Sequence, residues 1–264
     1  MVFVSTQIRP PAGTPGTGIL KAMSIFLAGA GPDAAAFPEL FDRFAGEVQQ
    51  RTVHQRPARV AIVVHDRGGN PEGLLPAYTE PLLARLPLET VPVLLHAGAP
   101  ADPSVFDGVD GVVVGGGLTP AYWEGLAGSA AAISRAAAAG TPYLGFSAGA
   151  MIAPARALLG GYLSKGIEVC GEECSEGLAE LEIRAGLGLA GFAVDVHAAQ
   201  AGTLSRAVGA VAAGLADRAV AVDENTALVL SAAGDGSFEV LGRGNCWDIR
   251  GSGAGCTVTV LNAG

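Results

Sequence analysis

The sequence predicts an α/β fold: a single domain with a mainly parallel central sheet, flanked by helices and completed by C-terminal β-hairpin strands. Three observations predict it. Short, wholly apolar runs alternate with segments of helical spacing through the first half of the chain, the pattern of parallel strands covered on both faces. Those runs end in glycine-rich or histidine-bearing turns, where open parallel sheets bind their ligands. One run leads into a serine set between glycines and then a helix, Thr141-Pro142-Tyr143-Leu144-Gly145-Phe146-Ser147-Ala148-Gly149-Ala150-Met151.

The elements follow in order. Met23 to Ala28 is an apolar strand ending in Gly29-Ala30-Gly31-Pro32, and Phe37 to Gln50 carries helical spacing. Arg59 to Val64 is the next strand and runs into His65-Asp66-Arg67-Gly68-Gly69. A helix over Tyr78 to Leu86 precedes a third strand, Thr90 to Leu95, which ends at His96. Val112 to Val114 leads into Gly115-Gly116-Gly117-Leu118-Thr119-Pro120 and a helix from about Ala121 to Ala139. Tyr143 to Phe146 is the fifth strand.

Beyond the serine helix, Lys165 to Glu182 is acidic and glycine-rich and reads as a solvated connecting loop. Phe192 to Val196 is a strand ending at His197, and Leu204 to Leu215 a helix. Ala219 to Val222 and Thr226 to Leu230 are strands around Asp223-Glu224-Asn225. Phe238 to Leu241, Asn245 to Ile249 and Thr257 to Leu261 have hairpin character.

Composition limits the function classes. The 264 residues suit one large domain over 22–264, behind a Pro/Gly/Thr-rich segment 1–21 that reads as a flexible leader without a signal-peptide core. Hydrophobic residues make up 50%, but aromatics only 6%, so alanine carries the apolar content of a soluble protein. The uncharged span from Ala136 to Ala155 is broken by Gly140, Pro142 and the serine turn, which excludes a membrane helix. A net charge of -9 and only two lysines, Lys21 and Lys165, argue against nucleic acid. Cys170, Cys174, Cys246 and Cys256 show no metal-ligand spacing, so neither a metal nor another cofactor is expected and the cytoplasm is the simplest compartment.

In a strand-turn-helix elbow the nucleophile stands in a strained conformation, and its neighbours two positions away must be tiny; Gly145 and Gly149 meet that need. A serine nucleophile needs a base. Of four histidines, His54 lies in a polar segment, His65 and His96 end strands upstream, and His197 follows a strand downstream of the serine. The α/β-hydrolase order of serine, acid, histidine is not available, because no histidine follows His197. The order offered is Ser147, His197, then Glu224 or Asp223 to hold the far ring nitrogen.

Several of these stretches together carry a resemblance: Gly145 to Ala150, the triple glycine at Gly115, Ala185 to Gly191 leading to Asp195-Val196-His197, the Ser205-Arg206 helix start, and Val222 to Leu230. In that order they resemble the cyanophycinase and aspartyl dipeptidase (peptidase E) family of serine peptidases, over about Val112 to Leu261. The resemblance implies a class I glutamine amidotransferase-like, flavodoxin-like fold and a triad of Ser147, His197 and Glu224. It further implies an oxyanion hole from Gly116 or Gly117 with Ala148. Leu118, Thr119, Asp195, Gln200 and Arg206 are then the substrate-binding candidates, Arg206 being the cation for a substrate carboxylate.

The chain also departs from the family. Asp195 is kept, but Val196, Ala198, Ala201 and Thr203 replace the family's residues around the histidine, and Leu118 replaces a polar side chain. Cyanophycin is therefore not the expected substrate. The expectation is a serine hydrolase acting on a peptide or isopeptide bond in a small peptide, with acidic peptides included and room for a homodimer. Its rivals are a small-molecule esterase or amidase and a non-catalytic binding protein on the same fold. Glutamine amidotransfer is set aside, since it requires cysteine where Ser147 stands.

Overall fold

The computed structural model describes residues 24–52, 56–66, 68–231, 238–253 and 255–263. The expected leader 1–21, Met23 and His54 lie outside these. Through the serine helix the order is β1 (Ser24–Ala28), α1 (Pro38–Arg51), β2 (Ala58–His65), α2 (Leu75–Leu83), β3 (Leu88–Leu95), β4 (Gly111–Val114), α3 (Thr119–Leu126), α4 (Ala130–Ala138), β5 (Tyr143–Phe146) and α5 (Ala148–Ile152). The remainder comprises β6 (Arg156–Gly160), β7 (Leu163–Ser164), β8 (Ile167–Glu168), β9 (Glu182–Ala185), β10 (Ala193–Val196), α6 (Leu204–Ala212), β11 (Arg218–Val222), β12 (Thr226–Ser231), β13 (Phe238–Gly242), β14 (Asn245–Ser252) and β15 (Gly255–Asn262).

The apolar runs build a seven-stranded sheet in the order β13-β12-β1-β5-β4-β2-β3. Its five strands from β1 to β3 are parallel, while β12 and β13 extend it antiparallel. Val60 to Val64 are fully buried, as a strand covered on both faces must be. On one face α1 packs Leu40, Phe41, Phe44, Ala45 and Val48 against the strands, a spacing that brings one stripe of the helix inward. The other face is closed by α3, α4 and α5 through Tyr122, Leu126, Ile133 and Met151. Burying each large side chain contributes about 1.5–3 kcal/mol. Strands β10, β11, β14 and β15 form a second sheet, on which α6 packs through Ala207 and Val211. No described helix is long and apolar enough to cross a membrane.

Two expectations need correction. The helix foreseen over Ala121 to Ala139 is two helices, parted by a 3-10 turn over Ala127–Ser129. Gly128 favours the break, and the Ser129 hydroxyl fixes it by donating to the Ala101 carbonyl at 3.0 Å. The acidic stretch 165–182 is not a simple solvated loop, because β7 pairs with β8 and β9 with β6. Its carboxylates order it: Glu180 accepts the Lys165 and Gly166 N–H groups, each at 2.9 Å, and Glu176 accepts the Thr119 N–H at 3.0 Å.

Candidate functional site

Strand β5 delivers Ser147 at its C-terminal end with φ 49° and ψ −107°, and α5 begins at the next residue. Such a backbone state costs a non-glycine residue on the order of 1–3 kcal/mol, and the surroundings must hold it. Ser147 N–H donates to the Ala28 carbonyl at 3.0 Å, while its own carbonyl accepts from Ala150 at 2.9 Å and Met151 at 3.0 Å. The Tyr143 hydroxyl donates to the Gly149 carbonyl at 2.7 Å and braces the turn from inside the sheet. The flanking glycines are required by space: a Cβ on Gly145 would lie 2.5 Å from the Gly149 carbonyl oxygen, and one on Gly149 2.4 Å from that of Val114.

The second sheet supplies the partners. His197 follows β10 and Glu224 follows β11, two parallel neighbours in register from Ala193 opposite Ala219 to Val196 opposite Val222. His197 has a φ of 57°, and its N–H donates to the Gly29 carbonyl at 3.1 Å, which ties the two sheets together at the site. Ser147 Oγ lies 3.1 Å from His197 Nε2, and His197 Nδ1 lies 2.8 Å from Glu224 Oε1. The three groups form one hydrogen-bonded row. With Nδ1–H donating to the carboxylate, Nε2 keeps the lone pair that can accept the serine proton. His197 and Glu224 are both partly open, at 30% and 40% exposure of their side chains, so a substrate can reach the row.

Asp223, the other acid considered for this place, turns away from the imidazole. It accepts from Ala199 N–H and Trp247 Nε1 at 3.0 Å each, from Asn245 N–H at 2.9 Å and from Asn245 Nδ2 at 3.1 Å. Its carboxylate thereby fixes the loop that carries His197 to β14. Gln200, expected at the substrate, uses its side-chain oxygen to accept the Glu224 N–H at 2.9 Å.

The glycine loop after β4 comes next to the serine, since a Cβ on Gly116 would lie 3.1 Å from Ser147 Cβ. Of the expected oxyanion donors, Gly116 is engaged elsewhere: its N–H donates to the Tyr78 hydroxyl at 2.9 Å. The N–H groups of Gly117 and Ala148 have no acceptor among the described residues, Ala148 because it opens a helix. Gly117 has a φ of 152°, which a side chain would strain. From the other side the Tyr122 hydroxyl donates to the Gly116 carbonyl and accepts the His65 N–H, both at 3.1 Å. Burial pushes the Tyr78 phenol up despite the opposing pull of the Gly116 N–H, and burial does the same to Tyr122, so both clamps stay protonated.

Arg206 and Asp195 are not presented to a ligand. Arg206 Nε and Nη2 donate to Asp195 at 2.8 and 2.6 Å, with side-chain exposures of 2% and 0%, and Nη1 donates to the Cys174 carbonyl. Burial works against the guanidinium charge, but the Asp195 carboxylate outweighs it and the pKa of Arg206 rises. The pair ties α6 to β10, and its charge is spent inside the protein. Thr119 is likewise buried, its hydroxyl 3.6 Å from the Met151 sulfur. Leu118 lines an open cavity together with His65, His96 and Glu124.

Gly29, Tyr78 and Tyr122 escaped sequence reasoning. A Cβ on Gly29 would lie 2.1 Å from the Asp223 carbonyl oxygen, so the two sheets could not approach with any other residue there. Its only signal was a Gly-Ala-Gly-Pro turn at a strand end. The tyrosines gave none, because each sits among apolar helix residues as a core aromatic would.

Among solved structures, a crystal structure of a peptidase from an acI-B1 actinobacterium matches with a TM-score of 0.57 and 17% sequence identity, covering 92% of this chain and 96% of that one. The two share a fold. A candidate peptidase E from Listeria monocytogenes EGD-e aligns with a TM-score of 0.48 and 14% identity, over 91% of this chain and 100% of that one. No family model and no curated protein matches the sequence.

Proposed function

We propose that the protein is a serine hydrolase that cleaves a peptide or isopeptide bond in a small peptide through an acyl-enzyme. The observation that carries this reading is the row Ser147–His197–Glu224 at 3.1 and 2.8 Å, with Ser147 on a strained strand-to-helix turn. The fold shared with a crystallised peptidase supports it.

In this mechanism His197 Nε2 takes the Ser147 proton as Oγ attacks the substrate carbonyl. Glu224 holds the ring orientation and stabilises the imidazolium. The carbonyl oxygen, now negative, is received by the Gly117 and Ala148 N–H groups, each such donor contributing about 3 kcal/mol to the barrier reduction. His197 then returns the proton to the leaving amine, and a water repeats the sequence to release the acid. Four unpaired cysteines accord with the cytoplasm as the place of action.

The test is labelling with a fluorophosphonate followed by peptide mapping. Wild-type protein should be labelled at Ser147, Ser147→Ala should not be, and Ser147→Ala and His197→Ala should each lower kcat on a cleaved dipeptide by at least about 10³-fold. Wild-type protein that resists the probe, or a Ser147→Ala variant as active as wild type, refutes the reading.

A further inference from the structure

Among the described residues five other than glycine take a positive φ: Ser147, Lys165, Glu176, His197 and Asn225. Such backbone states persist only where the surroundings hold them, and they gather at functional sites. Ser147 and His197 belong to the hydrogen-bonded row and Asn225 follows Glu224, while Lys165 with Gly166 turns the β7–β8 hairpin. Glu176, at φ 58°, is the one left to explain. It stands with Gly177 in a tight turn closed by the Leu178 N–H donating to the Ser175 carbonyl at 3.0 Å, a place that asparagine, aspartate or glycine would fill with less strain.

Its side chain supplies the reason. Glu176 Oε2 accepts the N–H of Thr119, the first residue of α3, at 3.0 Å. Leu118, at the capping position of that helix, has no side-chain acceptor to do so. Its carbonyl is held in turn by the Ala121 and Tyr122 N–H groups at 3.1 and 3.2 Å. Only Gly117 and Leu118 then separate Thr119 from Gly116, which Tyr78 and Tyr122 hold from the other end. The loop that carries the Gly117 donor is fastened on both sides, and Glu176 is its downstream fastening.

The histidine side of the site brings the carboxylate there. Arg206, paired with Asp195 two residues before His197, donates through Nη1 to the carbonyl of Cys174, two residues before Glu176. The Ser175 carbonyl also accepts the Gly161 N–H at 2.9 Å, and Gly160 admits the turn, because a Cβ there would lie 2.6 Å from Glu176 Cβ. One chain of contacts runs from β10 through the acidic segment to the glycine loop.

We propose that Glu176 is a positioning residue of the hydrolase, which holds the start of α3 and thereby aims the Gly117 N–H at the oxyanion. The proposal rests on the hydrolase reading, and its variants leave Ser147, His197 and Glu224 in place. Glu176→Gln keeps an acceptor oxygen and Glu176→Ala removes it. Glu176→Gly removes it too but suits the positive φ, so the result does not hang on how the alanine variant folds. Losing an oxyanion donor lowers kcat by about 10²–10³-fold, so loosening one should cost at least about tenfold. In the alanine and glycine variants kcat on a cleaved dipeptide should fall by that factor with KM within about twofold of wild type, and Glu176→Gln should keep kcat within about threefold. Hydrogen exchange at the Thr119 and Gly116 amides, followed by NMR, should quicken in the alanine and glycine variants but not in Glu176→Gln. Wild-type kcat in the variants without an acceptor, an equal loss in Glu176→Gln, or a loss carried by KM, which would put Glu176 on the substrate, overturns the proposal. Unchanged exchange in a protein that the fluorophosphonate labels refutes the positioning and leaves the hydrolase standing. Faster exchange in a protein that resists the probe keeps the hold of Glu176 on the loop and refutes the hydrolase.

Discussion

Arg206 shows how one buried pair decides what a residue can do. Its fork meets Asp195 with two hydrogen bonds at 2.8 and 2.6 Å, both partners being shut off from solvent. Removing one member leaves the other charge buried and unpaired, which typically costs about 3–5 kcal/mol, whereas an exposed pair is worth under about 1 kcal/mol. Arg206→Ala should therefore lower the urea midpoint sharply. Because the guanidinium meets no substrate, the variant should lower kcat/KM on acidic and neutral dipeptides by the same factor; a selective loss on acidic ones would return Arg206 to the site. The Ser205-Arg206 helix start and Asp195 were legible as a pair of features in the sequence. Their mutual contact was not, since eleven positions separate them and only the packing of α6 on β10 closes that gap.

At the scale of elements, the glycine loop after β4 is held by two helices that approach from different parts of the chain. Tyr78 of α2 takes the Gly116 N–H, and Tyr122 of α3 takes the His65 N–H and gives its own proton to the Gly116 carbonyl. Leaving a buried polar group unpaired costs about 1–3 kcal/mol, so the number of bonds lost sets the order of effects. Tyr122→Phe, losing two, should destabilise more than Tyr78→Phe, losing one, in thermal melts of the two variants. Both should reduce kcat through a looser Gly117 donor; a reversed stability order would mean the loop is held by packing alone. The elbow itself was readable, because Gly145, Ser147 and Gly149 lie within five positions and their constraint is local. The hydrogen-bonded row was readable in part: chain order ranked His197 above His65 and His96 and put Glu224 first, with Asp223 kept as the alternative acid. Geometry separates those two, since the carboxylate at 223 faces β14 and the one at 224 faces the imidazole. The clamps were not readable, because a tyrosine hydroxyl reaching a loop leaves no mark on helical spacing.

For the whole molecule, the sheet layout and the burial of its titratable groups set how stability follows pH. Tyr78, Tyr122 and Tyr143 have phenols pushed above their ordinary range, chiefly by burial. The Cys246 thiol is pushed up by burial and then by the nearby Asp223, and burial also raises the thiols of Cys170 and Cys174 against the pull of Arg206. In the unfolded chain these groups release protons near their ordinary values of about 10 and about 8.5, while the folded protein keeps them bound. Above those values the unfolded state therefore binds fewer protons, the slope of unfolding free energy against pH is negative, and each group contributes up to about 1.4 kcal/mol per pH unit. Stability should be level between about pH 7 and 8 and then fall by at least about 3 kcal/mol by about pH 10.5, the cysteines leading through their lower starting value. With only two lysines in the chain, little ammonium titration overlaps this window. Urea unfolding at both ends of the range measures the fall, and Cys246→Ala should shrink it measurably whatever the variant does to stability at neutral pH. A wild-type curve that stays level to pH 10.5, or a fall untouched by Cys246→Ala, would show that these groups reach water in the folded state.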